Sequence, residues 1–456
     1  MKHMPLQASR VIAQFSVGLS VQRLSEANLQ MCGRAIADTV AVAVAGWKEP
    51  AALCALAYAK NMDGATTGRL WGRSECIGLE GAALCNGIAA HALDYDDASS
   101  PMSGHPSVVL LPALLALADA RGMHGTQIAL GYAAGFEVAC ALGRALSATH
   151  YQRGWHLTST IGTIASAVAC SRLLDLGEEE TCNAVGLAVA QASGSRISFR
   201  TDAKLLQAGN AAAAGLRAAL LAENGFTAAA DAIDGDAGFT ALYSEGELLA
   251  ESLLGMGERS LEMDLSGVEI KKYAACYNLH RPIDGLLELK QEHDLTLSNV
   301  VEIEVQTSQG SLAPLISHAP RNGTEGRFSM SYALAAALHD GNLKLSTFTD
   351  AAVMRPELRP LMERVTMSEA FGRMTPRWAY LQVALANGRR LEKRVDILRG
   401  SPEQPLTDKE LTAKVADCLS WGSSALEPKA LMASALAFHQ NTARHLIDEV
   451  TNGLMA

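Results

Sequence analysis

Aromatic residues are scarce in this 456-residue chain, only 5% of it, and the sequence has no apolar run of membrane-spanning length. The longest, residues 108–118 (VVLLPALLALA), contains Pro112 and falls well short of the roughly 18 residues a span requires. No lysine- and arginine-rich run stands out either. The 38 basic residues face 48 acidic ones, for a formal net charge of −10 and a pI near 5.7. That balance argues against a nucleic-acid surface or an anionic membrane as partner. The nine cysteines are odd in number and scattered, and form no C-x-x-C pair, so they read as small buried residues of a reducing cytoplasm. The N-terminal stretch MKHMPLQASRVIAQF lacks the apolar segment of a secretory signal, with Arg10 interrupting it. The sequence contains no GxGxxG, Walker loop, G-x-S-x-G or Cys–His nucleophile pattern, so nicotinamide redox and phosphoryl-transfer chemistry have no support in it. The expectation is a soluble cytoplasmic protein.

What is abundant is alanine and glycine among apolar residues, which suits closely packed helices better than a β-sandwich. Residues 8–265 read as helix almost throughout. Gly177 followed by Glu178, Glu179 and Glu180 marks a helix start with acidic residues at the positive dipole end, running on to Gly194. Another helix spans 211–224 and closes on Gly225. After Ser266 the pattern changes. Residues 300–305 (VVEIEV) alternate as a half-exposed strand does, and 378–385 and 389–398 flank Asn387-Gly388, a hairpin signal. Helix-like stretches lie at 282–293, 328–338 and 350–365, and residues 408–455 are helical again. The predicted fold is mainly α: an all-helical domain from 1–266 and 402–456, with an α+β domain, 267–401, inserted.

Ionisable residues concentrate in four stretches. The densest is NGIAAHALDYDDASSPMSGHPS, residues 86–107, which sets His91, Asp94, Tyr95, Asp96, Asp97 and His105 within fifteen residues between apolar flanks. Burying such groups costs several kcal/mol unless they are paired or employed, so the stretch is either a structural polar network or an active site. Helix through residue 94 would put His91 and Asp94 at i and i+3, while Pro106 holds His105 in an extended loop. A metal site from His91, Asp94, Asp97 and His105 matches no established ligand spacing. The second stretch, YQRGWH, offers Tyr151 as a proton donor and His156 at a helix start, where the dipole favours neutral imidazole; both could equally be packing residues. The third holds Arg200 and Lys204 ahead of an alanine-rich helix, a place suited to an anion, or simply a solvated lysine. The fourth, KKYAACYNLHRP, carries Lys271, Cys276 and His280 at the predicted domain junction.

These blocks resemble the MmgE/PrpD family in order and over most of the chain: NGIAAHALDYDD…GHPS, GWH, AKLLQAGNAAAAGLRAALLAENGF, IKKYAACYNLHRPIDGLLEL, APRNGTEGRFSMSYALAAAL and RGSPEQPLT. The resemblance implies a helical domain built from both chain ends, an inserted α+β domain, a homodimer, and no metal or organic cofactor. It further implies a small anionic di- or tricarboxylate substrate that loses a proton α to a carboxylate. By motif, Asp94 and His105 fall in the family's first active-site block, His156 in the second, Lys204 in the third, and Lys271 with His280 in the fourth. His105 or His156 is then the base, Tyr151 or the other histidine the acid, and Lys204 and Lys271 the carboxylate clamps, with Cys276 and Arg200 beside the substrate. Three departures stand out. Ala98 replaces the threonine of dehydratase and decarboxylase members, Cys276 replaces the decarboxylase histidine, and Lys204 is followed by Leu-Leu-Gln rather than Pro-Leu-His. These losses of hydrogen-bonding groups favour an epimerase of a small dicarboxylate such as iminodisuccinate over a lyase of the 2-methylcitrate or cis-aconitate type.

Overall fold

A computed structural model describes residues 6–452 except 63, 65, 200 and 373–375. It is mainly helical and divides into two compact units, 1–269 with 412–456, and 270–411.

The first unit is built on α1 (Glu26–Gly46), α2 (Leu79–His91), α3 (Ser107–Arg121), α4 (Gly125–Ala145), α5 (Leu157–Leu173) and α6 (Asp202–Glu223). α6 packs against α5, α2 and α3, and α5 packs against α4. The approach is close because the crossing points lack side chains. A Cβ on Gly87 of α2 would sit 2.8 Å from the Gly209 Cα of α6, and one on Gly209 would sit 2.4 Å from the Leu84 carbonyl oxygen. A contact this tight holds the C-terminal end of α2 against the first turns of α6. α3 is buried on every side from Ser107 to Asp119, as its unbroken apolar sequence requires. α4 is the one single helix among the described residues long and apolar enough to cross a bilayer, yet 83% of that stretch is buried inside the unit, the condition of a core helix.

Three expectations for this unit need correction. It is not purely helical, since Gly68–Arg69 pairs antiparallel with Cys76–Ile77. The helix after Gly177 ends at Val189, short of Gly194, which takes a φ of 125°. α6 begins at Asp202 rather than 211, so Lys204 lies in its first turn.

In the second unit, α7 (Tyr277–His293) and α8 (Met330–Asp340) pack together, and α7 covers a four-stranded sheet. The strands are β1 (Val300–Thr307), β2 (Val365–Glu369), β3 (Ala379–Leu385) and β4 (Arg390–Val395), in the order β2-β1-β3-β4. β1 is parallel to β2 and antiparallel to β3; β3 and β4 form a hairpin whose turn places Gly388 at φ 82°. β2 was not expected. The sequence from 350 to 365 reads as one helix, but Pro356 and Pro360 remove ladder donors and leave only the short helices Asp350–Val353 and Arg359–Met362. β2 itself is a short, largely exposed edge strand without the apolar alternation that marks a strand in sequence. Residues 402–411 fall in this unit rather than the first. Gly400 N–H donates to the Gln404 carbonyl at 2.8 Å, and Arg399 Nε donates to Glu410 Oε1 at 3.2 Å.

Candidate active site

The first unit gathers three of the four ionisable stretches. α2 stops at His91, and Asp94 turns the chain with a φ of 52°, a left-handed conformation that aspartate tolerates better than most residues. The helical i, i+3 relation of His91 and Asp94 therefore does not form. Instead residues 92–106 fold back as a loop that is buried through Ser99, exposes Ser100 and Ser103 and enters α3 at Ser107. His91, Asp96 and Asp97 are fully buried, and the His105 side chain keeps 16% exposure.

The two neighbouring carboxylates of this loop have different partners. Asp96 Oδ2 lies 2.8 Å from His91 Nδ1 and 3.3 Å from His105 Nδ1. His105 Nδ1 is also 2.7 Å from the Asp97 main-chain oxygen, and its backbone N–H donates to Thr158 Oγ1 at 3.2 Å. Because Nδ1 faces two acceptors, it carries the proton, and the neutral ring then has Nε2 as its basic nitrogen. The Asp97 side chain accepts from Ser107 N–H at 3.2 Å and bonds the Ser107 hydroxyl, which lies 2.8 Å from Tyr132 Oη. Burial pushes the Asp97 carboxyl up to about 8, against the Ser107 bonds, so it is largely neutral at pH 7.

Lys204, in the first turn of α6, donates to Asp94 Oδ1 at 2.8 Å. His156 caps α5, with Nδ1 2.7 Å from Gln207 Oε1 and its ring edge-on to Phe199 at 4.9 Å. Its ring centroid lies 6.4 Å from that of His91, which in turn lies 4.9 Å from that of His105. Burial, followed by the charges of His91 and Lys204, depresses the His156 pKa well below its ordinary value, so this imidazole is neutral. The neutrality expected from the helix dipole is therefore present, with desolvation as the leading cause. Gln207 also alters the reading of a departure. Rather than removing a polar group, it accepts from His156 and donates through Nε2 to the Ser195 carbonyl at 3.1 Å.

Tyr151 is not brought to these histidines. Its ring lies under the Arg196 guanidinium, 3.8 Å from centroid to Cζ, and it makes no hydrogen bond or ring contact with His105 or His156 among the described residues. Arg200 lies outside the described residues. Ala98 joins the loop to Glu269 by paired main-chain bonds of 3.0 and 2.8 Å.

The metal set considered from sequence does not assemble either, because Asp94 goes to Lys204 and Asp97 to Ser107. His91, Asp96 and His105 do bring ligand atoms within 4.8 Å of one another. The 2.8 Å between His91 and Asp96 is that of an imidazole N–H donating to a carboxylate, while His105 Nδ1 hydrogen-bonds the Asp97 main-chain oxygen and lies beside Asp96 at 3.3 Å as a close electrostatic contact.

Sequence reading missed Asp96 as the shared carboxylate, Gln207 as the partner of His156, and a buried strut beneath the loop. In the strut, Lys414 of α9 (Asp408–Trp421) donates to the Tyr95 carbonyl at 2.8 Å and pairs with Asp38 of α1 at 2.5 Å. Asp38 and Lys414 lie 376 residues apart, and neither carries a motif. The only sequence signal was charge at helix positions that are otherwise apolar.

The fourth stretch belongs to the second unit. Lys271 is 1% exposed and His280 fully buried. His280 Nε2 lies 3.2 Å from the Ala275 carbonyl, and its ring is 5.2 Å from Tyr273 and 6.4 Å from Tyr277. Cys276 is buried at the N-cap of α7, its N–H donating to the Arg327 carbonyl at 2.9 Å.

Comparison with known proteins decides the lineage. The MmgE/PrpD N-terminal domain matches residues 10–252, and the MmgE/PrpD C-terminal domain matches residues 273–436. The chain belongs to the MmgE/PrpD family. Similar curated proteins include the cis-aconitate decarboxylase of Homo sapiens, 27% identical over 424 residues, covering 89% of this chain and 87% of that protein. The Mus musculus enzyme of the same name is 27% identical, over 87% of this chain and 83% of its own length. That of Aspergillus terreus is 28% identical over 66% of each chain. Within this MmgE/PrpD chain, the first-unit cluster combines a lysine, a neutral buried imidazole and a second imidazole whose Nδ1 is hydrogen-bonded to the Asp97 main-chain oxygen. Such a set can hold a carboxylate and move a proton.

Proposed function

We propose that this MmgE/PrpD protein is an enzyme of small carboxylates, and specifically a lyase acting on a di- or tricarboxylate in the manner of cis-aconitate decarboxylase. Similarity to decarboxylases over nearly the whole chain supports a lyase. The observation that carries the reading to chemistry is the gathering of Lys204, His105 and His156 in one buried cluster. Decarboxylation of cis-aconitate breaks one C–C bond to a carboxylate. The released pair forms a new double bond, and the displaced alkene pair takes up one proton. The enzyme must therefore hold the remaining carboxylates, supply that proton and exclude water. Lys204 serves the first need, His105 Nε2 the second, and the apolar packing around the 92–106 loop the third. A positioned proton-transfer group contributes about 10²–10⁴-fold, and a fixed cation at developing charge about 10²–10³ more.

A second reading, epimerisation of iminodisuccinate, keeps support from Ala98, which stands where dehydratase and decarboxylase members carry threonine, and from Cys276, which stands where the decarboxylase carries histidine. It loses the support taken from Gln207, which retains a hydrogen-bonding role. Incubation in D₂O with cis-aconitate, 2-methylcitrate, citrate and iminodisuccinate, read by NMR, tests both. The lyase reading predicts consumption of one of the first three, with olefin or CO₂ formed. Inversion at Cα of iminodisuccinate with the other three untouched overturns it.

A further inference from the structure

The chemistry assigned to His105 does not by itself require Asp96. Yet its carboxylate is fully buried at the centre of the histidine cluster. One oxygen, Oδ2, faces both His91 Nδ1 at 2.8 Å and His105 Nδ1 at 3.3 Å. His91 is itself fully buried, and its other nitrogen, Nε2, has no hydrogen-bond partner among the described residues. A buried, half-satisfied imidazole costs free energy and needs a reason. The geometry supplies one, because the side-chain hydrogen bond that His91 makes among the described residues is the one that holds Asp96. The ring of His91 also stands edge-on to His105, at 65° and 4.9 Å, which limits how His105 can turn.

We propose that Asp96 and His91 form a positioning pair for His105. His91 donates its Nδ1–H to Asp96 and fixes the carboxylate. The Asp97 carbonyl accepts from His105 Nδ1–H at 2.7 Å, and the Asp96 carboxylate, 3.3 Å from the same nitrogen, favours the proton there by its charge, so that the proton is exchanged at Nε2. The inference rests on the reading of His105 as the proton-transfer group and deepens it by naming what sets its tautomer. The charged and titratable groups around His105 are His91, Asp96 and Asp97 of its own loop, His156 at the start of α5 and Lys204 on α6. Of these, Asp96 brings its carboxylate to His105 Nδ1, at 3.3 Å. Asp97 offers its main-chain oxygen there while its side chain is turned to Ser107. A carboxylate placed behind an imidazole in this way also stabilises the imidazolium that forms when the ring holds a proton for delivery.

The test uses the full-length protein, with selective ¹⁵N-histidine labelling and the His105 resonances assigned by difference from His105→Gln. At a pH where the ring is neutral, the wild type is expected to show His105 as the Nδ1–H tautomer. The near-isosteric Asp96→Asn is expected to move it toward Nε2–H and to lower kcat by about 10²-fold or more with KM within about twofold. His91→Ala should lose activity in the same way. His91→Asn, whose amide nitrogen can replace Nδ1 as donor to Asp96, should recover most of it, which a merely space-filling histidine would not predict. An unchanged tautomer in Asp96→Asn, or equal losses in His91→Ala and His91→Asn, overturns the inference alone, provided His105→Gln is inactive. Undiminished turnover in His105→Gln overturns the site reading and the inference together.

Discussion

The first unit contains two buried aspartate–lysine pairs that look alike in chemistry and differ in surroundings. Asp38 and Lys414 have side chains 0% and 3% exposed, and the lysine is further engaged by the Tyr95 carbonyl and lies 4.1 Å from the Tyr95 ring centroid. Asp94 and Lys204 are 10% and 11% exposed, and the lysine lies near a neutral histidine and an aromatic face, 5.8 Å from Phe199. The first pair lies out of reach of solvent and braces the loop from beneath. The second keeps some exposure and lies at the first turn of a helix, beside the histidine cluster to which the proposed carboxylate binding is assigned. A buried ion pair is weak evidence of stability in itself, but removing one partner leaves an uncompensated charge whose cost depends on access to water.

That contrast can be broken by experiment. Lys414→Ala leaves Asp38 charged and dry, and should cost about 3–5 kcal/mol of stability, read as a drop in the denaturation midpoint. Lys204→Ala should instead leave the melting temperature within a few degrees, because Asp94 can reach water, while kcat/KM falls about 10²–10³-fold. If the two variants show the same profile, the distinction between brace and site is wrong. A smaller effect is expected from Gln207→Leu. It strips His156 of its acceptor, costs about 1–3 kcal/mol of stability, and lowers turnover by roughly tenfold as the ring loses its orientation.

The smallest effect at acid pH, and the one with the clearest sign, concerns Asp97. Its carboxyl rises from an ordinary 3.8 to about 8 in the folded protein, chiefly through burial. A group raised on folding holds more protons in the native state between those values. Its contribution to stability is present below about pH 4 and is lost as the pH climbs toward 8. Asp97→Asn cannot ionise, so it should flatten the decline in stability between pH 5 and 8 and make the variant the more stable protein at pH 8. Urea unfolding at the two pH values checks it, and an unchanged slope would mean Asp97 is not the buried acid described here.

Much of the architecture was legible because it rests on local signals. The glycine and alanine faces that let α6 approach α2, the Asn387-Gly388 turn and the acidic first turn after Gly177 each act through their own few residues. What was not legible depends on distant partners. β2 forms because β1 offers it a parallel edge, and nothing in residues 365–369 says so. The same holds at the site. Asp94, His105, His156 and Lys204 could be named from motifs, but the bonds Lys204–Asp94, His156–Gln207 and Lys414–Asp38 join residues 110, 51 and 376 positions apart. Tyr151 shows the converse failure, since closeness in sequence to His156 suggested a proton donor, whereas its ring lies under the Arg196 guanidinium.

The central claim is that the first-unit cluster transfers a proton through His105 during carbon–carbon or carbon–oxygen cleavage of a small polycarboxylate. Deuterium wash-in tests it most directly, by comparing wild type with His105→Gln in D₂O on cis-aconitate. The account predicts one solvent deuteron per product molecule from the wild type, and at least a hundredfold slower formation of that product by the variant. Product formed at the wild-type rate by His105→Gln would contradict it.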